Sequence, residues 1–377
     1  MNKKVLCVVT ARASYSRVRT VLISLQRRTG VDLTIALNAS ASDPLYGDLR
    51  EIVENDGFTN VHSFETNLSQ TSSTSSIKVV ALSLLDIEAF MRFNDFDGVI
   101  SIADRYETIA TAICASYSNT KLFHIQGGEI SGNIDDKVRN AISMMADYHF
   151  PSTAISAKNL ERYGICTRNI FQYGCPSVDQ FLSVRSDLGE HSFHELLSSH
   201  SVGHAVMDYG DYHVIMQHPE TDKTEDNFHY TSILIELVKG SKSDRFIWFW
   251  PNTDPGSSYI SKALRIFRES DNCDNVRFVK NLSPNEFIYI LNGSLSLIGN
   301  SSVGVRETGI LGVPVVNIGD RQKNRESHSN VRSCEWDKNQ LQKTFRELKD
   351  AKRIDPDYTY GEGNAGELIA KKITEII

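Results

Sequence analysis

The chain of 377 residues is long enough for two domains that each bury a hydrophobic core. Its formal net charge of −7 argues against electrostatic binding of nucleic acid, because such binding needs an excess of basic side chains. The first apolar run is too short for a signal peptide, and no run reaches the length of a membrane span. The six cysteines lie far apart without metal-ligand spacing, so we expect reduced thiols, no metal site and a cytoplasmic protein.

In the first half, short β-rich runs alternate with segments of helical periodicity, which is typical of parallel sheets with crossover helices. The predicted strands are Val5–Thr10, Asp32–Leu37, Val61–Phe64, Gly98–Ile102, Lys121–Ile125, Tyr148–Phe150 and Ile170–Tyr173. The predicted helices are Tyr15–Gln26, Val79–Phe93, Tyr106–Tyr117 and Ala154–Tyr163.

The second half repeats this alternation. Its predicted strands are Tyr212–Met216, Arg245–Trp250, Val276–Val279, Leu295–Ile298 and Val313–Ile318. Its predicted helices are Asp226–Val238, Ser257–Glu269, Pro284–Leu291 and Val303–Leu311. Residues 181–210 are rich in Ser, His and Gly and lose the alternation, so we predict that they connect two domains.

We therefore predict an α/β protein with two Rossmann-like, doubly wound domains that face a central cleft. The predicted segments are a first domain at 1–180, the connection at 181–210, a second domain at 211–355, and a C-terminal helix within 356–377 that packs back across the junction. In such sheets, ligands bind outside the carboxyl ends of the strands. Polar residues directly after predicted strands are therefore the candidate site residues.

The segment TARASYSR follows the first predicted strand. Arg12 is expected on the turn and Ser16 near the start of the next helix. This arrangement suits a diphosphate, because free N–H groups and a guanidinium both attract anions. A serine-capped helix with surface arginines explains the segment equally well. No GxGxxG motif accompanies the strand, so we expect no dinucleotide cofactor.

Carboxylates follow the fourth and fifth predicted strands. Asp104 precedes Arg105 and is either a helix N-cap or a charge-tuned acid or base. In QGGEISGNIDDKVR, two glycines allow close backbone approach to a ligand, and Glu129 follows at once. Asp135 is a third candidate acid, whereas a favourable interaction with a helix N-terminus is the preferred explanation for Asp136. Acids in different environments suit proton abstraction and return.

Polar groups also follow strands of the second half. His218 lies after a strand and before a proline, and Asn252 lies in the turn after the next strand. In GNSSVGVRETG, Ser301 and Ser302 stand where a helix is predicted to begin. Their N–H and hydroxyl groups suit a phosphate there, or one serine simply caps the helix. Glu307, further along, is placed to accept hydrogen bonds from a ribose.

Together these segments resemble the hydrolysing UDP-N-acetylglucosamine 2-epimerases. The resemblance rests on TARASYSR, DRYET, GGEISGNIDDKVR, HPETDK, PNTDPGSS and GNSSVGVRETGILGVPVVNIGDRQ, which lie in collinear order over residues 1–335. It implies a two-domain, glycosyltransferase-B-like fold and a nucleotide-sugar substrate. Close relatives within the family act on 2,4-diacetamido sugars, which remain an alternative substrate. We also expect a homodimer or homotetramer.

The resemblance implies a role for each candidate residue. The implied catalytic groups are Asp104, Glu129, Asp135 and His218. The implied substrate-binding groups are Arg12, Ala13, Ser16, Arg105, Arg139, Asn252, Ser301, Ser302, Glu307 and Arg321. Within the second set, the serines at 301 and 302 correspond to phosphate-binding residues and Glu307 to the ribose-binding residue.

The reaction that the resemblance implies proceeds through a 2-acetamidoglycal. Anti elimination of the nucleoside diphosphate from C1, with loss of the C2 proton, gives this intermediate. Water then adds at C1 while a proton returns to C2 from the opposite face, which releases the free epimerised sugar. A non-hydrolysing epimerase shares the elimination step. A glycosyltransferase of the same fold or a non-catalytic sugar-nucleotide-binding protein is less favoured, because neither needs the acids.

The sequence departs from the family near the expected sugar site. The family motif HGGE reads QGGE from Gln126, and the motif RHAITK reads RNAISM from Arg139. A histidine and a lysine are therefore replaced by Asn140 and Met144. These changes alter hydrogen bonding and charge, so they bear on the identity of the sugar rather than on the fold.

Overall fold

The structure is a computed structural model that describes residues 2–43, 49–64, 73–132, 135–183, 190–251, 254–270, 273–280, 282–349 and 351–377. The strands are β1 Lys3–Val9, β2 Val31–Leu37, β3 Val61–Ser63, β4 Gly98–Ile102, β5 Lys121–Ile125, β6 Tyr148–Phe150, β7 Ser201–Val202, β8 His213–Met216, β9 Phe246–Phe249, β10 Val276–Val279, β11 Ser296–Gly299, β12 Val315–Ile318 and β13 Val331–Cys334. The helices are α1 Arg12–Gln26, α2 Leu49–Asn55, α3 Ser73–Phe93, α4 Thr108–Tyr117, α5 Asp135–Met145, α6 Ala154–Arg162, α7 Pro176–Ser183, α8 Glu190–His200, α9 Asn227–Gly240, α10 Ser257–Arg268, α11 Pro284–Gly293, α12 Val303–Arg306, α13 Thr308–Leu311, α14 Lys338–Lys349 and α15 Ala365–Ile376.

The chain divides into two compact units, which are Met1–Gln180 together with Thr359–Ile377, and Phe181–Tyr358. In the first unit, the described strands form a six-stranded parallel sheet in the order β3-β2-β1-β4-β5-β6. Alternate residues of β1 enter different cores, with Val5 on the side of α1 and α15 and Leu6 on the side of α3 and α4. The sheet is therefore buried on both faces, as parallel sheets require.

The second unit contains a seven-stranded sheet in the order β13-β12-β11-β8-β9-β10-β7. All its pairs are parallel except β7 against β10. The strand order reverses between β8 and β11, and in the first sheet it reverses between β1 and β4. Ligands of doubly wound sheets bind at such reversals, so the ends of these four strands are where a site is expected.

The C-terminal helix α15 packs on α1 within the first unit. The carboxylate of Asp179 accepts hydrogen bonds from the backbone N–H groups of Ala365 (3.1 Å) and Gly366 (2.7 Å) at the helix start. The hydroxyl of Thr20 on α1 donates to the same carboxylate over 3.1 Å. One buried acid thus fixes where the returning chain begins its last helix.

Most predicted strands and helices are confirmed at nearly the predicted positions. The strand predicted at Ile170–Tyr173 is wrong, because the segment forms only a single bridge between His149 and Ile170. Its alternating apolar residues have another cause, since the rings of Phe171 and Tyr173 pack against Phe150.

Two further predictions need correction. The predicted connection at 181–210 contains α8 and β7, and the second unit already begins at Phe181. The helix predicted at Val303–Leu311 is divided into the four-residue helices α12 and α13 at Glu307. No helix of the described residues is long and apolar enough to cross a membrane.

Candidate active site

The first helix begins one residue after the turn that follows β1. Arg12 was predicted on this turn, but it is the first residue of α1, and the N-cap residue is Ala11, whose side chain makes no capping bond. The alternative of a serine cap is therefore wrong. Ser16 lies in the second turn, where its hydroxyl donates to the Arg12 carbonyl over 3.4 Å, and Ala13 is exposed in the first turn.

Asp104 follows β4 and is not a helix cap, because the N-cap residue of α4 is Glu107. The Asp104 side chain is 6% exposed. Its Oδ2 accepts a hydrogen bond from the guanidinium of Arg139, and its Oδ1 lies 3.5 Å from Nη1 of Arg17. Two cations therefore contact one buried carboxylate, which supports the functional explanation of this residue over the capping explanation.

Two residues near the acids Asp104 and Glu129 adopt the left-handed backbone conformation that non-glycine residues disfavour. Ala103 has φ +61°, and Gln126 has φ +66°. Each such residue costs on the order of 1 kcal/mol or more, and such costs are concentrated at functional sites. Ala103 retains this conformation partly through its N–H, which donates to the carbonyl of Ile125 over 3.0 Å.

Arg139 on α5 is the centre of the cluster and is 1% exposed. Besides Asp104, its guanidinium donates to Asp136 and to the backbone carbonyl of Glu129, the latter over 2.7 Å. Burial alone disfavours the charged form, but the neighbouring carboxylates of Asp104 and Glu129 raise the pKa of Arg139 above its usual value. The cluster therefore contains a permanent buried cation.

Glu129 is 4% exposed and accepts a hydrogen bond from the Ser152 hydroxyl at Oε1 over 3.1 Å. The glycines before it are required by packing. A Cβ on Gly128, which has φ +79°, would lie 2.2 Å from the carbonyl oxygen of Ser156, and the Asn159 amide donates to the Gly128 carbonyl over 2.9 Å. The loop is thus pressed against α6.

The two acids at the start of α5, Asp135 and Asp136, have different surroundings. Asp135 is the half-buried first residue of the helix. Asp136 accepts from the backbone N–H groups of Ser131 (2.9 Å) and Gly132 (2.7 Å) and contacts Arg139. Although burial opposes ionisation, these hydrogen bonds lower the pKa of Asp136. Asp136 is therefore more than a helix-terminal acid, because it also holds the loop after Glu129.

Arg105 was expected to contact substrate. In the structure its guanidinium donates to the carboxylate of Glu107 over 2.9 and 3.2 Å, and Glu107 is fully buried. Arg105 is therefore held against the start of α4 by a buried carboxylate.

In the second unit, Asn300 organises the ends of β8 and β11. Its side-chain oxygen accepts from the N–H of His218 over 2.7 Å, and its amide donates to the His218 carbonyl over 2.9 Å. Its own carbonyl accepts from Gln322 over 3.1 Å and lies 3.5 Å from Nη1 of Arg321. One fully buried residue thus joins the segments that follow the strands β8, β11 and β12.

The serines that follow Asn300 lie on an irregular loop. Ser301 is 5% exposed, and its hydroxyl accepts weakly from the Val303 N–H over 3.4 Å. Ser302 occupies the N-cap position of α12 without a side-chain capping bond. Since α12 has only four residues, a full helix dipole is not available there, and anion binding would rest on the local N–H and hydroxyl groups. Glu307 is 4% exposed.

Arg321 follows β12 as predicted, and its Nη2 lies 3.7 Å from Oδ2 of Asp254, which follows β9. Both side chains are about one-seventh exposed, at 16% and 14%. Asn252 lies outside the described residues. No group of three or more His, Cys, Asp or Glu side chains in the described ranges could hold a metal ion.

Sequence reasoning missed several residues that complete these clusters. Arg17 and Asn300 stood within the quoted motifs but received no role. A signal existed for Arg17, which follows Arg12 on the same helix, and for Asn300, which is the first residue after a buried strand. Ser152 and Glu107 gave no sequence signal, because their contacts come from the fold alone.

Two doubly wound α/β units, with acids after strands of the first and with Asn300, Ser301 and Arg321 after strands of the second, are typical of sugar-nucleotide enzymes of the glycosyltransferase-B-like fold class. The sequence profile of the UDP-N-acetylglucosamine 2-epimerase family matches residues 24–374, so the chain belongs to this family. Enzymes of this family epimerise nucleotide sugars at C2.

Curated relatives and solved structures agree with this assignment. The chain is 29% identical over 367 residues to the UDP-N,N'-diacetylbacillosamine 2-epimerase (hydrolyzing) of Legionella pneumophila, covering 97% of this chain and 94% of the relative. It is 29% identical to polysialic acid biosynthesis protein P7 of Escherichia coli, covering 93% and 88%. The fold matches the crystal structure of UDP-GlcNAc 2-epimerase from Neisseria meningitidis bound to UDP-GlcNAc with a TM-score of 0.81 at 16% identity, covering 99% of this chain and 100% of that one.

Proposed function

We propose that the protein is a hydrolysing 2-epimerase that converts UDP-GlcNAc into UDP and N-acetylmannosamine. The observation that carries the proposal is the buried cluster of Asp104, Glu129 and Arg139 at adjacent strand ends. Buried acids with charged partners are costly and are concentrated where proton transfer is required. The names of the relatives support the hydrolytic outcome.

In the first step, a base removes the C2 proton while the C1–O bond to the diphosphate breaks and a C1–C2 double bond forms. In the second step, water adds to C1 and a proton is delivered to C2 on the opposite face. Two guanidinium groups contact Asp104, and a hydroxyl contacts Glu129, which also interacts with the charge of Arg139. Unequal environments of this kind allow one carboxyl group to accept a proton and the other to donate one. Asp135 and His218 are further candidates for these transfers.

The residues of the second unit are proposed to bind the leaving group. Ser301, Ser302 and Arg321 supply hydroxyl, N–H and guanidinium groups, which stabilise the charge that develops on a departing diphosphate. Glu307 is proposed to accept hydrogen bonds from the ribose hydroxyls. Arg12 at the start of α1 supplies a further cation and the free N–H groups of a 15-residue helix.

The test is turnover of UDP-GlcNAc in deuterated water, followed by proton NMR. We expect free UDP and N-acetylmannosamine with deuterium at C2, because the returning proton comes from solvent. Deuterated UDP-ManNAc without free sugar would instead identify a non-hydrolysing epimerase. No reaction with any donor would contradict the proposed function.

A second candidate is the same chemistry on a UDP- or GDP-linked 2,4-diacetamido sugar. The relative from Legionella pneumophila, whose name specifies diacetylbacillosamine, favours it. The altered positions Asn140 and Met144 lie on the helix that also carries Arg139. Competition between UDP-GlcNAc and the diacetamido donor in one NMR tube decides the substrate, since the donor with the larger kcat/KM is consumed first.

We also propose that the protein is a homodimer joined through α3. Large apolar side chains are exposed along this helix, with Ile77 71%, Leu85 67% and Phe93 83% exposed. They lie eight residues apart, so successive side chains are turned by about 80° around the helix and together form a broad apolar face centred on Leu85. An antiparallel second copy centred on Leu85 would pack this face against its own counterpart. The arrangement is self-complementary, as a two-fold interface requires.

Light scattering after size exclusion tests this interface. Leu85→Glu should convert a dimer into a monomer at micromolar concentration. Ile266→Glu, at a similarly exposed position on α10 (55%), is the matched control and should leave the mass unchanged. A monomeric wild type, or a dimeric Leu85→Glu variant, would disprove the interface.

A further inference from the structure

A fully buried histidine lies beneath the acid cluster. His124 is the fourth residue of β5, and none of its surface is exposed. Its Nε2 lies 3.1 Å from the carbonyl oxygen of Ala103, and its Nδ1 lies 3.0 Å from the hydroxyl of Ser143. Ala103 directly precedes Asp104, and Ser143 lies on α5, the helix that carries Arg139.

The two contacts fix the tautomer of the ring. A carbonyl oxygen only accepts hydrogen bonds, so Nε2 of His124 carries the proton and donates to Ala103. The Nδ1 lone pair then accepts from the Ser143 hydroxyl. Burial lowers the pKa of His124 to about 3, so the ring is neutral at physiological pH and does not act as an acid or base there.

The partners of the ring belong to the elements that carry the ion pair. Ala103 immediately precedes Asp104 and has the strained φ of +61°. Ser143 lies one helical turn after Arg139 on α5, on the same helix face. The ring of His124 is thus a rigid spacer between the loop that carries Asp104 and the helix that carries Arg139.

Gly127 leaves the space that this spacer needs. A Cβ at Gly127 would lie 2.9 Å from Nδ1 of His124 and 2.9 Å from the hydroxyl oxygen of Ser143. Contacts this short would displace one of the two groups and break the bond between them. The first glycine of the GGE segment is therefore explained by the histidine as well as by ligand approach.

We propose that His124 is a positioning residue for C2 epimerisation, which sets the separation of Asp104 and Arg139 by bridging Ala103 to Ser143. The inference rests on the proposed function of the cluster. It requires no chemistry at the ring, only that both hydrogen bonds hold the two elements at one spacing. Misplacement of a catalytic group by about 1 Å costs on the order of 100-fold in rate.

The experiment compares His124→Phe with His124→Gln in the full-length protein. Phenylalanine fills the space and removes both bonds, so kcat should fall about 100-fold while KM changes by less than about threefold. The Gln amide nitrogen reaches the position of Nε2 and can still donate to Ala103, so kcat should recover to within about tenfold of wild type. Ser143→Thr, which retains the hydroxyl, should likewise exceed Ser143→Ala.

His149→Phe is the matched control. His149 lies beside His124 in register on β6, is 1% exposed, and has its pKa lowered to about 4 by burial. It should lose a similar amount of stability but keep kcat within about threefold, since its hydrogen-bond partner is the backbone of Ala146, which lies beyond the last residue of α5 rather than beside Arg139. If His124→Phe and His149→Phe lower kcat equally, the positioning role is wrong.

Hydrogen–deuterium exchange provides a readout that does not depend on activity. His124→Phe should accelerate amide exchange in residues 103–111 and 137–145, whereas His149→Phe should not. Wild-type inactivity toward every donor would remove the proposed function, and the exchange pattern would still decide whether His124 bridges the two elements. Unchanged exchange in both segments would overturn the bridge even in an active enzyme.

Discussion

The polar groups that follow the strands differ between the two units, being mainly charged in the first and neutral in the second. In the first unit, charged side chains contact one another below the surface, with Asp104 6% and Arg139 1% exposed. In the second unit, a neutral amide joins the segments, because Asn300 exchanges hydrogen bonds with the backbone of His218 and receives them from Gln322. The ion pair between Arg321 and Asp254 is longer and more exposed.

This difference agrees with the function proposed for each unit. A buried ion cluster costs desolvation free energy that its mutual attraction only partly offsets, so its benefit lies in the chemistry of its groups. A neutral scaffold around an irregular loop costs less and leaves N–H and hydroxyl groups for an anion. The first pattern suits proton transfer at the sugar, and the second suits retention of the diphosphate.

The largest expected effect comes from neutralising the acids. Glu129→Gln and Asp104→Asn should lower kcat about 1,000-fold, because each removes a proton-transferring group while preserving its shape. UDP affinity should change by less than about twofold, since these groups are proposed to act on the sugar. Release of UDP in a coupled assay measures the first effect, and calorimetry measures the second.

Asp97→Asn is a suitable control for these acids. Asp97 accepts from the Lys4 backbone N–H just before β4, and its side chain is 35% exposed. This variant should retain wild-type kcat. If the Glu129 and Asp104 variants lose UDP affinity by the same factor as kcat, the assignment of nucleotide binding to the second unit is wrong.

Acidification should destabilise the first unit more steeply than the second. Burial lowers the pKa of His124 to about 3 and of His149 to about 4 in the first unit, and of His213 to about 4 in the second. The unfolded chain therefore binds protons first as the pH falls below 6.5. The stability these neutral rings provide is complete above that pH and is lost toward their folded-state values, at about 1.4 kcal/mol per ring and pH unit.

Native-state amide exchange between pH 6.5 and 5 measures this for each unit separately. The free energy of opening should fall at least about twice as steeply with pH in the strands of the first unit. His62, whose pKa burial also lowers, adds to the same unit. His149→Gln should flatten the dependence of the first unit by one proton, and His213→Gln that of the second. Equal slopes in both wild-type units would contradict the assignment.

The sequence predicted the fold well because buried parallel strands leave continuous apolar runs, as in Gly98–Ile102 and Lys121–Ile125. The same rule located Asp104, Glu129 and Arg321 after their strands. It failed for residues 181–210, where few apolar positions mark α8, and for Ile170–Tyr173, where aromatic packing imitates a strand.

The contacts between site residues were beyond the reach of the sequence. Asp104 satisfied the pattern of an N-cap equally well, and only the start of α4 at Thr108 removes that explanation. The bridge from His124 to Ser143 joins residues of different elements through side chains that no periodicity marks. Local patterns specify elements, whereas partners are specified by the register of the sheet and the packing of helices on it.

The smallest expected effect tests the neutral scaffold of the second unit. Asn300→Ala removes both bonds to the backbone of His218, so UDP affinity should fall about tenfold, or about 1.4 kcal/mol, while kcat changes by less than about threefold. Asn317→Ala is the control, because Asn317 is a buried amide on the neighbouring strand β12 that bonds to Ser333 over 3.3 Å. Both variants should lose about 1–3 kcal/mol of stability. Of these two amides, Asn300 is the one that bonds to the segment that carries His218. An equal loss of UDP affinity in the Asn300 and Asn317 variants would therefore show that general destabilisation, rather than the Asn300 contacts, controls nucleotide binding.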